Sequence, residues 1–204
     1  HYDVDEAKIS VVHNGIDEGD GYRQAPAMRD KLVIFLGRIT YQKGPQFLLE
    51  TAEKLCKVYP RVKFVVAGTG DQFRHLLEAS AYRNLGSKFI FTGFLSKSKV
   101  DELLSMADVY FMPSVSEPFG LTALEASQFQ VPSVLSKQSG ASEVLRASLK
   151  ADFWDTDKYA NYIFALLKYP TLAATLSARA SQEIKSQTWD AAAEKILSVY
   201  AKYC

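Results

Sequence analysis

Cysteine is scarce in this chain: Cys56 and Cys204 are the only two among 204 residues, and they lie far apart with no metal-ligand spacing. That argues against a disulfide framework and a cysteine zinc site, and fits two reduced thiols in a cytoplasmic protein. Charge of one sign is missing too. The 24 Lys and Arg against 23 Asp and Glu leave a formal net charge of +1, which gives no general electrostatic case for nucleic acid or an anionic membrane. No apolar run approaches the roughly 18 residues of a membrane span, and no signal-peptide pattern is present. Several catalytic signatures are also absent. The loop after Leu36 is not Gly-x-Gly-x-x-Gly, which disfavours the usual nicotinamide fold. Lys43-Gly44 has neither the preceding glycine spacing nor the following Ser or Thr of a Walker loop. There is no Gly-x-Ser-x-Gly elbow and no metal-ligand cluster. His13 has no His, Cys or acid at ligand spacing and reads as a turn residue in His13-Asn14-Gly15. Aromatic residues make up 12% of the chain and fall at core positions of helices and strands, not as a base-stacking platform.

Apolar content of 48% and charged content of 23% are those of an ordinary globular protein, and this length buries roughly 70% of the unfolded surface. Ile9–Val12 is a short β-branched run. Asp17–Asp30 is polar, with Gly19, Gly21 and Pro26, and reads as a loop. Leu32–Leu36 is continuously apolar, as a strand buried on both faces must be. Pro45 suits a first helical position, and Phe47, Leu48, Ala52, Leu55, Cys56 and Tyr59 form a helical stripe stopped by Pro60. Further strands are predicted at Val62–Ala67, Phe89–Phe91, Ala107–Met112 and Val131–Leu135, with a short sixth at Ala151–Trp154. Helices are predicted at about 71–82, around Val100–Leu104, from Gly120 to Ser127 and around Glu143–Arg146. Three more follow at Tyr159–Tyr169, Thr171–Ser186 and Trp189–Tyr203. This alternation predicts an α/β fold: a doubly wound, Rossmann-like parallel sheet of about six strands, helices on both faces and a helical C-terminal tail.

Ligands of such sheets bind at the carboxyl ends of the strands, and three loops there carry suggestive residues. Arg38 and Lys43 lie on the first; two cations on a flexible turn can converge on a pyrophosphate. In the stretch Pro113–Glu125, a strand passes through a Pro/Gly turn into a helix whose first amides, at Gly120, Leu121 and Thr122, favour an anion. Glu117 and Glu125 flank that turn. Acids repel phosphate, so as binding residues they fit hydroxyls, Glu125 a ribose diol and Glu117 a sugar ring. Each feature also has an ordinary alternative: solvated cations, a plain tight turn, and polar surface acids. Gly68-Thr69-Gly70 is too short a signal to mean more than a turn. Phosphates met by cations and amides, with diols met by carboxylates, point to a nucleotide sugar.

Gly37-Arg38 with Lys43-Gly44, followed by Glu117-Pro118-Phe119-Gly120-Leu121-Thr122-Ala123-Leu124-Glu125, closely resembles the retaining GT-B glycosyltransferases, in particular the group-1 transferases and the glycogen and starch synthases. The resemblance extends from Asn14-Gly15-Ile16-Asp17 to the closing helix near Trp189, and is to their C-terminal, donor-binding half alone. It implies that residues 1–204 are a nucleotide-sugar-binding domain whose acceptor-holding N-terminal partner belongs to the same full-length chain. The start at His1 likewise reads as a piece of something longer. It implies that Arg38, Lys43 and Glu117 are catalytic, the two cations holding and stabilising the departing diphosphate and Glu117 contacting the transferred sugar. It gives Glu125 the ribose, the amides of Gly120, Leu121 and Thr122 the distal phosphate and sugar, and Phe94 or Leu95 the base. Transfer with retention, no cofactor and no metal are expected, the nucleotide sugar being a substrate. Two departures stand out. Gln130 replaces a common glycine, altering a helix end, and Ser139-Gly140-Ala141 keeps one of two usual glycines, bearing on the phosphate pocket. Other readings on the same fold are a non-catalytic nucleotide-sugar sensor or scaffold, and a nucleotide-sugar epimerase, which the Glu-x7-Glu arrangement fits less well.

Overall fold

A strand with no polar alternation must have apolar cover on both sides, and Leu32–Phe35 receives it: all four residues are 3% exposed or less. The computed structural model describes residues 4–17, 19, 21 and 30–202. Its strands are β1 (Lys31–Leu36), β2 (Val62–Ala67), β3 (Phe89–Gly93), β4 (Val109–Met112), β5 (Ser133–Ser136) and β6 (Leu149–Ala151). Every neighbouring pair is parallel, in the order β3-β2-β1-β4-β5-β6. The chain therefore winds outward from β1 in one direction, then returns to start again at β4. The crevice at the carboxyl ends of β1 and β4 is where such sheets bind ligands.

Among the described residues eight α-helices join these strands or follow them: α1 (Pro45–Val58), α2 (Phe73–Tyr82), α3 (Lys97–Ser105), α4 (Leu121–Gln128), α5 (Ala141–Val144), α6 (Thr156–Lys168), α7 (Pro170–Glu183) and α8 (Trp189–Tyr200). Alternate strand residues supply two separate cores, as the period of two requires. Val33, Phe35, Phe64, Val66, Val109 and Phe111 pack with α1 and α6 residues such as Leu48, Leu55, Tyr159 and Ile163. Leu32, Ile34, Val65, Tyr110 and Met112 pack on the other side with Leu104 of α3 and Ala123 and Leu124 of α4. The resemblance at the two ends also has a structural basis. Ile16 bridges Thr188, its amide meets the Gln187 carbonyl at 2.8 Å, and a side chain at Gly15 would overlap the Trp189 backbone.

The β-branched run Ile9–Val12 forms no strand: Ile9 and Val11 are exposed and, among the described residues, no sheet partner lies beside them. Two expectations need correction. The sixth strand is Leu149–Ala151, not Ala151–Trp154, because the Asp155 amide closes a turn on the Asp152 carbonyl at 2.9 Å and takes Phe153 and Trp154 out of the sheet. The last helix is assigned to Tyr200, and Tyr203, like Cys204 and most of the 17–30 loop, lies outside the described residues.

Gln130 follows α4 with φ +53°, in the left-handed region, which accounts for the glycine it replaces. A side chain there costs about 1–2 kcal/mol, while glycine loosens the unfolded chain by about 0.4–1 kcal/mol. Gln130→Gly is expected to raise unfolding stability by about 0.5–1 kcal/mol, measured as a higher urea midpoint with an unchanged slope.

Candidate functional site

The loop leaving β1 is pinned on two sides before it presents any side chain. The Gly37 amide bonds the Ala67 carbonyl and the Ile39 amide the Thr69 carbonyl, both at 2.9 Å, which fastens the loop to the end of β2. Ile39 is fully buried, while its neighbour Arg38 stays exposed. A 3-10 turn, Tyr41–Lys43, then runs into Gly44. Gly44 adopts φ +71°, and a Cβ there would overlap the Pro113 carbonyl. With the Val115 amide on the Gln42 carbonyl at 2.9 Å, the close approach locks this loop to the one leaving β4. The result is an ion pair between Lys43 and Glu117, residues 74 apart in sequence, with side chains 16% and 11% exposed.

Beyond Glu117, Gly120 turns the chain with φ +96°, and α4 begins with no side-chain cap and no acid in its first turn. The amides of Leu121 and Thr122 have no carbonyl of their own helix to bond. Thr122 is fixed from below: its hydroxyl and that of the buried Tyr110 share a hydrogen bond at 2.6 Å. Burial, reinforced by the charges of Glu117 and Glu125, pushes the Tyr110 phenol well above its ordinary pKa and keeps it neutral. The loop after β5 is tied to the same turn, the Gly140 amide to the Glu117 carbonyl at 3.0 Å and the Ala141 amide to the Phe119 carbonyl. Those two amides are therefore occupied. The retained glycine, Gly140, is the one that a Cβ would drive into the Pro118 carbonyl.

Arg38, Phe94, Leu95, Thr122 and Glu125 line one pocket of about 300 Å³. Lys43 and Glu117 do not line it but form their pair on the adjoining loops, and a Cβ added at Gly120 would stand 3.4 Å from Glu117 Cγ. Leu121 instead lines a neighbouring groove with Lys97 and Glu125. Gly68 and Thr69, read from sequence as a plain turn, are part of the pocket wall. That role follows from the pinning of the Gly37–Ile39 loop against them and has no local sequence signal.

Lys97, at the start of α3, is the functional candidate that sequence reasoning missed. Its ammonium lies 3.4 Å from Glu125 and 3.0 Å from Asp101, and it lines the pocket beside Phe94 and Leu95. Burial works against that charge, but the Asp101 hydrogen bond and the Glu125 and Asp101 charges outweigh it and hold the pKa above the ordinary lysine value. The i, i+4 spacing of Lys97 and Asp101 was visible; the approach of Glu125 from another helix was not. His13 likewise gains a partner no spacing could reveal, Glu143 at 3.1 Å, and stacks on Phe119 with ring centroids 5.7 Å apart.

Residues 22–183 match the family described as glycosyl transferases group 1, and the chain belongs to it. It is 32% identical over 158 residues to an uncharacterized glycosyltransferase of Methanocaldococcus jannaschii, covering 71% of this chain and 40% of that protein. It is 28% identical over 200 residues to the glycogen synthase of Mycobacterium tuberculosis, covering 95% and 48%. The chain thus spans less than half the length of these relatives. Among solved structures, Anabaena HepE in complex with UDP and glucose superposes with a TM-score of 0.82 at 19% identity, over 94% of this chain and 56% of that one. Among the described residues no helix is long and apolar enough to cross a membrane, and no group of His, Cys, Asp and Glu has the make-up of a metal site.

Removing one partner of a sheltered ion pair leaves the other charged and uncompensated, a loss of about 3 kcal/mol. Lys43→Ala is expected to destabilise the fold by about that much, and Lys43→Ala with Glu117→Gln to recover most of it. Urea unfolding of the two variants measures the difference.

Proposed function

We propose that this chain is the donor-binding half of a retaining glycosyltransferase, taking a nucleotide-diphosphate sugar. The observation that carries the reading is the pocket at the β1/β4 crevice. It gathers a guanidinium, an uncapped helix start, a carboxylate and two apolar side chains beside a Lys–Glu pair. Each suits one part of such a donor. The base lies against Phe94 and Leu95, and Glu125 accepts the ribose diol. Arg38, Lys43 and the amides of Gly120, Leu121 and Thr122 meet the diphosphate and sugar. Glu117 accepts from the sugar that is transferred. The UDP and glucose bound to the structurally similar HepE support a nucleotide sugar as ligand.

The catalytic contribution of Arg38 and Lys43 is electrostatic. As the glycosidic bond breaks, negative charge gathers on the departing diphosphate, and preorganised cations and amides stabilise it more than they stabilise the intact donor. The donor is a substrate, and the reading calls on no further cofactor. The acceptor would be held by an N-terminal half of the full-length protein, so this chain alone is expected to bind donor but not to transfer its sugar at a useful rate.

Calorimetry with UDP-, ADP- and GDP-sugars tests the assignment: one of them is expected to bind, and binding by none overturns it. Glu125→Ala removes two charge-assisted hydrogen bonds from a half-exposed diol site and should weaken that donor by about tenfold or more. An unchanged affinity would remove Glu125 from the ribose.

A further inference from the structure

Beyond the donor pocket, the β6 end of the sheet carries a second surface with a chemistry of its own. Asp152–Asp155 turns the chain from β6 into α6, closed by the Asp155 amide on the Asp152 carbonyl at 2.9 Å. Phe153 packs on Phe47 of α1, ring centroids 5.2 Å apart, and meets Trp154 edge-on at 4.7 Å and 86°. The Trp154 indole is therefore buttressed, yet it is 59% exposed. Two residues before it in the chain, at Asp152, the loop after β5 converges on the same turn. Lys137 Nζ reaches Asp152 Oδ2 at 2.9 Å, and Gln138 Nε2 reaches Asp152 Oδ1 at 3.2 Å. Those hydrogen bonds, the lysine's first, hold the Asp152 carboxyl below the usual carboxylate range. Each of its oxygens accepts one of these bonds and keeps lone-pair capacity for another donor.

We propose that Trp154, Asp152, Gln138 and Lys137 form a saccharide subsite. A pyranose ring lays its C–H face on the Trp154 indole and directs adjacent hydroxyls to the Asp152 carboxylate and the side chains that hold it. A pyranose has one flat apolar face and a rim of hydroxyls. Its recognition requires a rigid aromatic surface, which loses little entropy on binding, next to pre-ordered polar groups. Other ligands fit less well. An apolar peptide or lipid would bury the Lys137–Asp152 pair.

The polar half of the subsite is continuous with the donor site. The Glu117 amide bonds the Gln138 carbonyl at 3.2 Å, and Glu117 and Ser139 form an isolated parallel bridge. A ring held at Trp154 belongs to a glycan acceptor or product chain, a role that rests on the donor-domain reading, whereas sugar binding itself does not.

The chain has two tryptophans, so Trp189→Phe leaves Trp154 as the sole indole emitter. Maltoheptaose, N-acetylchitopentaose and mannopentaose would each be titrated into that variant, with UDP and UDP-glucose titrated separately. At least one oligosaccharide is expected to shift or quench Trp154 emission saturably at millimolar concentration, and the two nucleotides to leave it unchanged. In calorimetry, Trp154→Ala and Asp152→Asn should each weaken that oligosaccharide by about tenfold while nucleotide affinity stays at the wild-type value. Circular dichroism checks the fold of each variant. Should Trp189→Phe unfold the chain, 5-fluorotryptophan labelling of the wild type gives the same readout by 19F NMR, with Trp154→Phe assigning the resonance. The subsite is overturned if no oligosaccharide perturbs Trp154 saturably, if UDP-glucose alone does, or if both variants bind the oligosaccharide as wild type does. Absence of nucleotide binding in the parallel titrations overturns the donor reading and leaves the saccharide result to be judged separately.

Discussion

Lys43 and Glu117 join the loop leaving β1 to the loop leaving β4, and the rest of the site depends on that junction. Those two strands are neighbours in the sheet but are separated in sequence by β2, β3 and three helices. The Val115 amide on the Gln42 carbonyl ties the two loops through their backbones. The ion pair adds a side-chain link, and Gly44 makes it possible by letting the first loop approach the Pro113 carbonyl more closely than any side chain allows. Sheltered as it is, the pair is a weak source of net stability, since desolvating both charges offsets much of their attraction. Its physical consequence is register: among the described residues each charge has the other as its ion-pair partner, which favours one relative position of the two loops.

From that junction the remaining contacts radiate as a connected set. Glu117 hands the β4 loop to the β5 loop through its amide and carbonyl, and Gly120 then starts α4 in an orientation fixed by Met112 and Ala141 on either side. Tyr110 holds Thr122 from below. An uncapped helix start is ordinarily loose, because its first amides have only water to bond. Here the turn before it and the residue beneath it are both held, so the free amides keep a fixed direction, which is the condition for electrostatic preorganisation.

The sheet was legible because its signal is local. Leu32–Leu36 and Phe64–Ala67 are apolar runs that each end at a glycine, and such a run has few options besides a doubly covered strand. The cations and glutamates of the site were legible by type and loop, since the fold class says where ligands bind. Whatever depended on a contact between distant segments was not. Nothing in the sequence around Lys97 shows that Glu125 lies 3.4 Å away, nor does the His13 turn announce Glu143 across 130 residues. The ends of β6 failed for a different reason. Phe153 and Trp154 are residue types that strands favour, and only the hydrogen bond closing the Asp152–Asp155 turn decides otherwise. Gln130 shows the reverse case, where a departure from the family's glycine marks a left-handed position that the chain keeps with a side chain in place.

Two carboxylates beside the cations and helix start of this crevice would oppose the anionic ligand proposed for it, unless their charge is already met. Each is: Glu117 faces Lys43, and Glu125 faces Lys97. An ammonium carries three donors and a carboxylate several acceptor positions, so neither pairing exhausts its members. Lys43 can keep Glu117 and still donate to an incoming oxygen, and Glu125 can keep Lys97 and still accept a hydroxyl. Asp101 also meets Lys97, at 3.0 Å, so with Arg38 permanently charged three cations stand against three carboxylates, and the crevice carries no excess negative charge while offering acceptors to hydroxyl groups. The acids are thus compatible with the proposed anion site because the pairing lysines come with them, one from the β1 loop and one from α3. Lys97 supplies the half of that compensation which neither loop motif contains.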